Sequence, residues 1–291
     1  MPLTVSVVIP VYNGDEYIRK CLDSLSRQTL PASQYEVIIV DNGSTDNSMV
    51  LAESYSVKII KELKRGSYAA RNTGIRNAQG SIIGFIDVDC IASVDWLKYA
   101  VNYFTTTTAV DILSGKVEFL PPERLTIWGD FDKNTFLNQE YSFKAGVAKT
   151  ANLFVSSTVF ETFGFFNDAI KSGGDVNWTA EAVSKGATIH YEPKAIVYHP
   201  VRNSFNEIVQ KVFRVGTGKG QIIKVKKHKY GNSNLGLSHF KHPFKLLWSM
   251  IANKEKEQSF FYPVKMAFVI FVLALVFLSG IIQGFLVNKK N

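Results

Sequence analysis

The sequence predicts an α/β domain, a mostly parallel sheet flanked by helices, followed by a helical extension that associates with a membrane. Three observations lead there. Short apolar, β-branched runs alternate with helix-period segments three times before a fourth run, the pattern of a parallel sheet with right-handed crossovers. These runs end in polar clusters, where open α/β sheets place ligands. The C-terminal part then turns strongly basic and ends in an apolar run long enough to cross a bilayer.

Thr4 to Ile9 reads as the first strand, closed by Pro10 and the turn-forming Asn13-Gly14, and Asp15 opens an amphipathic helix to about Gln28. Glu36 to Val40 is the second strand. The cluster Asp41 to Asp46 after it supplies capping groups for a helix from Asn47 to about Tyr55. Val57 to Ile60 is a short third strand, and Ser67 is placed to cap a helix running to Gln79, stopped by Gly80. Ser81 to Ile86 is a buried strand that delivers Asp87 and Asp89 at its carboxyl end. Strand alternation puts both on one face, and hard oxygen donors there suit Mg²⁺ or Mn²⁺ bridging to phosphate.

Further on, Asp95 to Phe104 reads as a helix and Asp111 to Leu120 as a strand. Between Pro121 and Lys149 no period emerges; Trp128, Phe131, Phe136, Tyr141 and Phe143 suit either an acceptor wall or a buried core. Ala151 to Val155 is apolar, and Ser156 or Ser157 caps a short helix ending at Gly164. The loop Lys171 to Asp175 runs into a helix from Val176 to Lys185, so Asp175 stands at a helix N-terminus, where free amides and the dipole favour the carboxylate. Thr188 to Tyr191 and Ala195 to Tyr198 are short strands, the second leading to His199.

The net charge of +8 is unevenly spread: residues 1–201 carry 18 Lys and Arg against 22 Asp and Glu, whereas 202–265 carry 13 against 3. A segment so basic seeks an anionic partner, and the charge-free run from Met266 to Val287 after it favours lipid headgroups over nucleic acid. That run either spans the bilayer or lies in its interface, with Gly280, Gln283 and Gly284 weakening its end. Two cysteines are too few for a disulfide scaffold, and no leader precedes the first strand, so the body is expected in the cytosol with Cys21 and Cys90 reduced and packed. No Gly-x-Gly-x-x-Gly follows the first strand and no Gly-x-x-x-x-Gly-Lys-Ser/Thr occurs, which argues against dinucleotide oxidoreductases and P-loop enzymes.

Taken together in this order, Val8-Ile-Pro-Val-Tyr-Asn13, Val40-Asp-Asn-Gly-Ser-Thr-Asp46, Ala70-Arg-Asn-Thr-Gly74, Asp87-Val-Asp89 and Gly174-Asp175 with His199 downstream resemble a family 2 glycosyltransferase of the GT-A fold over about residues 4–200. The resemblance implies a catalytic domain over 1–201, its nucleotide-binding half to about 110 and its acceptor half beyond, then a basic helical extension over 202–262 and a membrane-anchoring helix over 263–287. It implies that Pro10, Val11, Tyr12 and Asn13 line the base and ribose pocket, that Asp41 or Asn42 hydrogen-bonds the base, and that Arg71 offsets diphosphate charge. Asp87 and Asp89 hold the ribose and a divalent metal, Mn²⁺ or Mg²⁺, which His199 approaches. Asp175 is the general base, and Gly174 and Trp178 border the acceptor. The implied reaction is an inverting, single in-line displacement from a nucleoside diphosphate sugar to a hydroxyl of a saccharide or lipid-linked acceptor, in cell-envelope or exopolysaccharide synthesis on the cytoplasmic face of the membrane.

Two departures from the family pattern stand out. Asn42 occupies a place often held by Asp, and its amide, both donor and acceptor, opens the pocket to bases other than uracil. Gly174 replaces the usual Glu. Arg214 and Lys219 around Gly216-Thr-Gly-Lys-Gly220 are candidates for clamping the diphosphate. The rival function is a membrane-tethered nucleotide-sugar-binding protein without catalysis. A nucleotidyltransferase is disfavoured because the Gly-rich basic loop it needs near the N-terminus is absent.

Overall fold

The structure, a computed structural model, describes residues 4–120, 122–230 and 262–286. Residues 231–261, which include part of the basic segment, and Val287 at the end of the apolar run lie outside the described residues. The chain forms two compact units: Met1–Leu120, Asn138–Ala169 and Gly174–Pro200 make the first, and Pro121–Leu137, Ile170–Gly173 and Val201–Asn291 the second.

In the first unit one sheet is built from β1 (Val5–Val11), β2 (Tyr35–Asp41), β3 (Lys58–Lys61), β4 (Ile82–Ile86), β5 (Ile91–Ala92), β6 (Ile112–Leu120), β7 (Asn152–Ser156) and β8 (Ile189–Pro200). Their spatial order is β3-β2-β1-β4-β7-β6-β8-β5. The first four are parallel, as the strand-helix alternation predicts. β7 runs antiparallel between β4 and β6, β8 is parallel to β6, and β5 is an antiparallel edge on β8. Helices α1 (Ile18–Ser26), α2 (Ser48–Ala52), α3 (Ser67–Arg76) and α4 (Trp96–Thr106) connect the early strands. α1 buries Ile18, Cys21, Leu22 and Leu25, one stripe of its surface, in the same apolar cluster as Val5, Val7, Ile9 and Ile39. Both cysteines are buried free thiols, as expected.

Three local expectations give way to the tertiary structure. β1 continues through Pro10 to Val11. The Val11 carbonyl accepts from Asn42 N–H on the β2 side, so Pro10 faces β4, whose pairing has ended at Val8 and has no ladder bond for a proline to break. Ser67 is the first residue of α3 rather than its cap; Gly66, at φ 133°, makes the turn. The two short strands expected before His199 are one, β8, in which the step from Gly115 to Lys116 on β6 takes Glu192 to Ile196 on β8. Pro193 falls in that bulge, where it costs no ladder bond. Asn152 Nδ2 closes the bulge by donating to the carbonyls of Lys116 (2.7 Å) and Ala195 (2.8 Å).

The sheet order carries a consequence for the site. β5 follows β4 after only Asp87 to Cys90, a turn closed by Cys90 N–H donating to the Asp87 carbonyl at 3.0 Å, yet it lies four places from β4 in the sheet. Four flat strand spacings are about 19 Å, more than a tight turn reaches, so the sheet curls on itself. Pairing of Ile91 with Tyr198 then brings the acidic turn onto the end of β8.

The second unit is helical, with α5 (Ile127–Thr135), α9 (Phe205–Tyr230) and α10 (Tyr262–Leu286); α6 (Gln139–Lys144), α7 (Ser157–Phe163) and α8 (Gly174–Ser184) belong to the first. Phe131, Ile208, Val212, Met266, Val269 and Leu273 form its apolar core, with Trp128 and Phe136 packed against it. Of the aromatics between 121 and 149, these three are thus core. Phe143 stacks on Tyr191 in the first unit and Tyr141 is exposed. Lys211 Nζ donates to the fully buried Asp132 at 2.6 Å. Gly216 and Gly220 are the contact face of α9 on α10. A Cβ on Gly216 would lie 2.4 Å from the Phe277 carbonyl oxygen, and one on Gly284 2.0 Å from that of Thr217. Gly280 and Gly284 weaken the hydropathy of α10 for the same reason.

Candidate active site at the carboxyl end of the sheet

The register of Val11 with Asp41 sets the loops after β1 and β2 side by side. They are stitched together: Asn13, at φ 49°, accepts from Thr45 N–H (2.8 Å), and Gly14 N–H donates to Ser48 Oγ (2.8 Å). Above this rim Tyr12 is exposed, and the Arg65 guanidinium covers its ring at 4.2 Å from the centroid. Arg65, in an unpatterned loop, carries no sequence signal. Pro10 and Val11 form the strand end beneath.

The doublet after β2 is buried and spoken for. Asp41 Oδ1 accepts from Ser44 N–H at 2.8 Å. Asn42 donates both N–H bonds to the carbonyls of Glu62 (3.0 Å) and Lys64 (2.8 Å) and accepts from Gly66 N–H (2.7 Å). No donor is left to read a nucleobase. The departure from Asp at this position therefore serves the β3–α3 loop, correcting the expectation that it widens base choice.

Asp87 and Asp89 lie beyond the end of β4, so strand alternation does not govern them. Arg71, buried on α3, donates from Nη2 to Asp87 Oδ1. The two form an ion pair, and Arg71 Nε has no hydrogen-bond partner. Asp89 faces His199 instead. His199 Nδ1 is 2.6 Å from the Pro200 carbonyl, which only accepts, so Nδ1 carries a proton and Nε2 is the nitrogen turned to Asp89, 3.5 Å from Oδ2. A proton or a cation between Nε2 and the carboxylate would be held by both. A carboxylate oxygen with an imidazole nitrogen braced by a carbonyl fits a divalent cation. Cys90 completes the cluster, its ligand atom within 4.8 Å of the others. Burial and Asp89 push its thiol up, so it stays protonated and points at Asp89 Oδ1 (3.7 Å).

Asp175 lies in the first turn of α8, which begins two residues earlier than expected, at Gly174. Its carboxylate takes four hydrogen bonds. Oδ1 accepts from Tyr68 Oη (2.9 Å) and Val176 N–H (2.9 Å), and Oδ2 from Thr150 N–H (2.9 Å) and Thr150 Oγ1 (3.1 Å). Burial, then Asp175, pushes the Tyr68 phenol well above its usual range, so it keeps its proton and donates. Lys149 is near, its ammonium pushed down to about 8 by burial against the pull of Asp175. Tyr68, Thr150 and Lys149 escaped sequence reasoning; only the fold brings α3 and the start of β7 to Asp175. Gly174 borders no open space, since Tyr68 fills it. Trp178 is core: it is 6 % exposed, stacks on Phe160 at 5.0 Å and donates to the Gly164 carbonyl (2.8 Å). The place expected beside an acceptor is a core position.

A curled α/β sheet with an acidic turn, a histidine at its carboxyl edge and a buried carboxylate on a following helix defines a GT-A glycosyltransferase frame. The family model "Glycosyl transferase family 2" matches residues 6–161. Glycosyltransferase AglE of Haloferax volcanii is 42% identical over 225 residues, 75% of this chain and 73% of that protein. Poly(ribitol-phosphate) beta-glucosyltransferase of Bacillus spizizenii is 37% identical over 123 residues, 40% of this chain but only 19% of that one. Among solved structures, mannosyltransferase PcManGT of Pyrobaculum calidifontis, in complex with GDP-Man and Mn²⁺, matches with a TM-score of 0.64 at 16% identity, over 100% of this chain and 90% of that one. S. aureus TarS 1–349 in complex with UDP matches with a TM-score of 0.57 at 18% identity, over 96% and 89%. These two share the fold. The chain belongs to the family 2 glycosyltransferases.

Proposed function

We propose that the protein transfers a sugar, with inversion, from a nucleoside diphosphate sugar to a hydroxyl of a saccharide or lipid-linked acceptor, at the cytoplasmic face of a membrane and in the service of cell-envelope or exopolysaccharide synthesis. One observation carries the reading: His199 Nε2 and Asp89 Oδ2 face each other at 3.5 Å, with Cys90 beside them, a place for a divalent cation on the carboxyl edge of the sheet. Relatives of this fold crystallised with UDP, or with GDP-Man and Mn²⁺, support it.

Asp89 and His199 would hold Mn²⁺ or Mg²⁺, with Asp87 beside them, kept in place by Arg71 and left to the ribose. Such an ion neutralises charge on a leaving diphosphate. Tyr12, Asp41 and the Pro10-Val11-Tyr12-Asn13 strand end border the nucleoside. Asp175 takes the proton from the acceptor hydroxyl as its oxygen bonds to the anomeric carbon and the bond from that carbon to the diphosphate oxygen breaks. One base, and no second carboxylate assigned as nucleophile, make this a single displacement. α10 is long and apolar enough to serve as the membrane anchor.

The test is a thermal-shift panel of uridine, guanosine and thymidine diphosphate sugars with Mn²⁺ or with EDTA. A donor at 100 times its Kd adds about 2.7 kcal/mol, a shift of roughly 5–10 °C, and EDTA should abolish it. No shift with any donor overturns the reading; a shift indifferent to EDTA removes the metal from it.

A further inference from the structure

We infer that α10 does not cross the bilayer but lies in its surface, paired with α9. The inference rests on the membrane reading above. Gly216 meets Phe277 and Gly280, Thr217 meets Gly280 and Gly284, and Gly220 meets Ile281 and Phe285, so the two helices run side by side and parallel. Glycine on both sides of the seam brings the backbones too close for any side chain to intervene. α9 therefore goes where α10 goes. A spanning α10 would carry Lys211, Arg214 and Lys219, which the register sets beside its apolar run, to acyl depth, where charged side chains are costly. An in-plane pair avoids that cost. On α10 large apolar side chains are exposed every three or four positions, at Phe268, Phe271, Leu275, Leu278, Ile282 and Leu286, a stripe that can sink into the acyl boundary; Lys265, Ser279 and Gln283 are the exposed polar residues of the helix, and the exposed or half-buried α9 cations Arg214, Lys219, Lys224 and Lys226 stay among headgroups.

The full chain with an epitope tag after Asn291 decides the matter in sealed, inside-out membrane vesicles treated with protease from outside. In-plane docking leaves the tag as accessible as the body, and both are digested. A tag protected as a short fragment shows a spanning helix and overturns the inference. Protein that does not sediment with the vesicles overturns it too. The double variant Phe271→Glu/Leu275→Glu, at exposed positions, should release the protein at unchanged melting temperature; continued sedimentation removes the stripe as the docking face.

A second inference comes from the first unit, independently, and rests on Asp175 as the base: Tyr68 is the positioning residue of that base. Its hydroxyl holds Asp175 Oδ1 at 2.9 Å. Its ring occupies the space beside Gly174, where a Cβ would lie 2.7 Å from Tyr68 Cε2. The charged groups around the pair are Lys149, before β7, and Arg71, one turn along α3 and 5.6 Å over the Tyr68 ring. Through Arg71 the same helix also holds Asp87, so α3 sets both the donor side and the base.

Tyr68→Phe keeps the ring and deletes the bond. A carboxylate that loses a donor holds a proton more tightly, so the acid limb of the pH–rate profile should move to higher pH, with kcat about tenfold lower and donor KM unchanged. The readout is nucleoside diphosphate release from the donor that the panel selects, for wild type, Tyr68→Phe and Asp175→Asn. If Asp175→Asn is inactive while Tyr68→Phe matches wild type in kcat and acid limb, Tyr68 has no positioning role although the base stands. If Asp175→Asn retains full turnover, the base reading fails and this inference with it.

Discussion

Replacing Asp175 by Asn tests the base directly, and the structure sets the size of the structural cost that must be separated from the catalytic one. Four donors converge on the carboxylate, and an amide offers one acceptor atom and one donor atom. The favoured orientation leaves Oδ1 of the amide facing Thr150, whose backbone N–H cannot turn away, and aims Nδ2 at Tyr68, whose hydroxyl can rotate to accept. Only Val176 N–H, in the open first turn of α8, then loses its partner. The cost is about 1 kcal/mol, or roughly 2–4 °C in a unit of this size. Loss of the base should lower turnover by about 10²–10⁴. Melting temperature, donor binding and nucleoside diphosphate release measured on one preparation separate the two effects. Turnover within tenfold of wild type, at intact donor binding, refutes the assignment; a melting point lowered by far more than 4 °C refutes the hydrogen-bond accounting.

Asn42→Asp removes two N–H donors and turns an anion toward the carbonyls of Glu62 and Lys64, so stability should fall by about 2–4 kcal/mol while the donor panel keeps its nucleotide preference. A changed preference at unchanged stability would return Asn42 to the base. Gly284→Ala, which in a free helix gains about 1 kcal/mol, should instead lower the melting temperature here, because its Cβ meets the rigid Thr217 carbonyl; a rise would mean the seam is loose. Lys149 falls from 10.5 to about 8 on folding. Between those values the unfolded chain binds more protons, so stability rises with pH there, and below about 8 the full cost, about 3 kcal/mol, is borne. Lys149→Met should therefore stabilise the protein at neutral pH and lose that advantage by pH 10.5, as paired urea titrations would show; a gain that persists there counts against burial as the cause.

The sequence by itself determined the elements whose stabilising contacts are local in pattern. β1 to β4, the helices between them and the polar strand ends are written in residue periods of 2 and 3.6 and in turn residues, so the parallel half of the sheet and its rim were legible. It also pointed to Asp87, Asp89, Asp175 and His199 as candidate site residues, through motifs that follow one another in a family's order. What it left open are pairings between distant segments. Asp89 meets His199 because the sheet curls until β5 reaches β8, a register set by core packing over many strands. Asn42 turns to its loop rather than a base because Gly66 and the carbonyls of Glu62 and Lys64 surround it. Trp178, placed by motif beside the acceptor, is drawn into an aromatic core that exists only once α7 and α8 pack. Why α9 carries Gly216 and Gly220 shows only when their partners on α10 appear. A side chain's type is local information; which of its possible partners wins depends on desolvation and contact distances that only the tertiary structure decides.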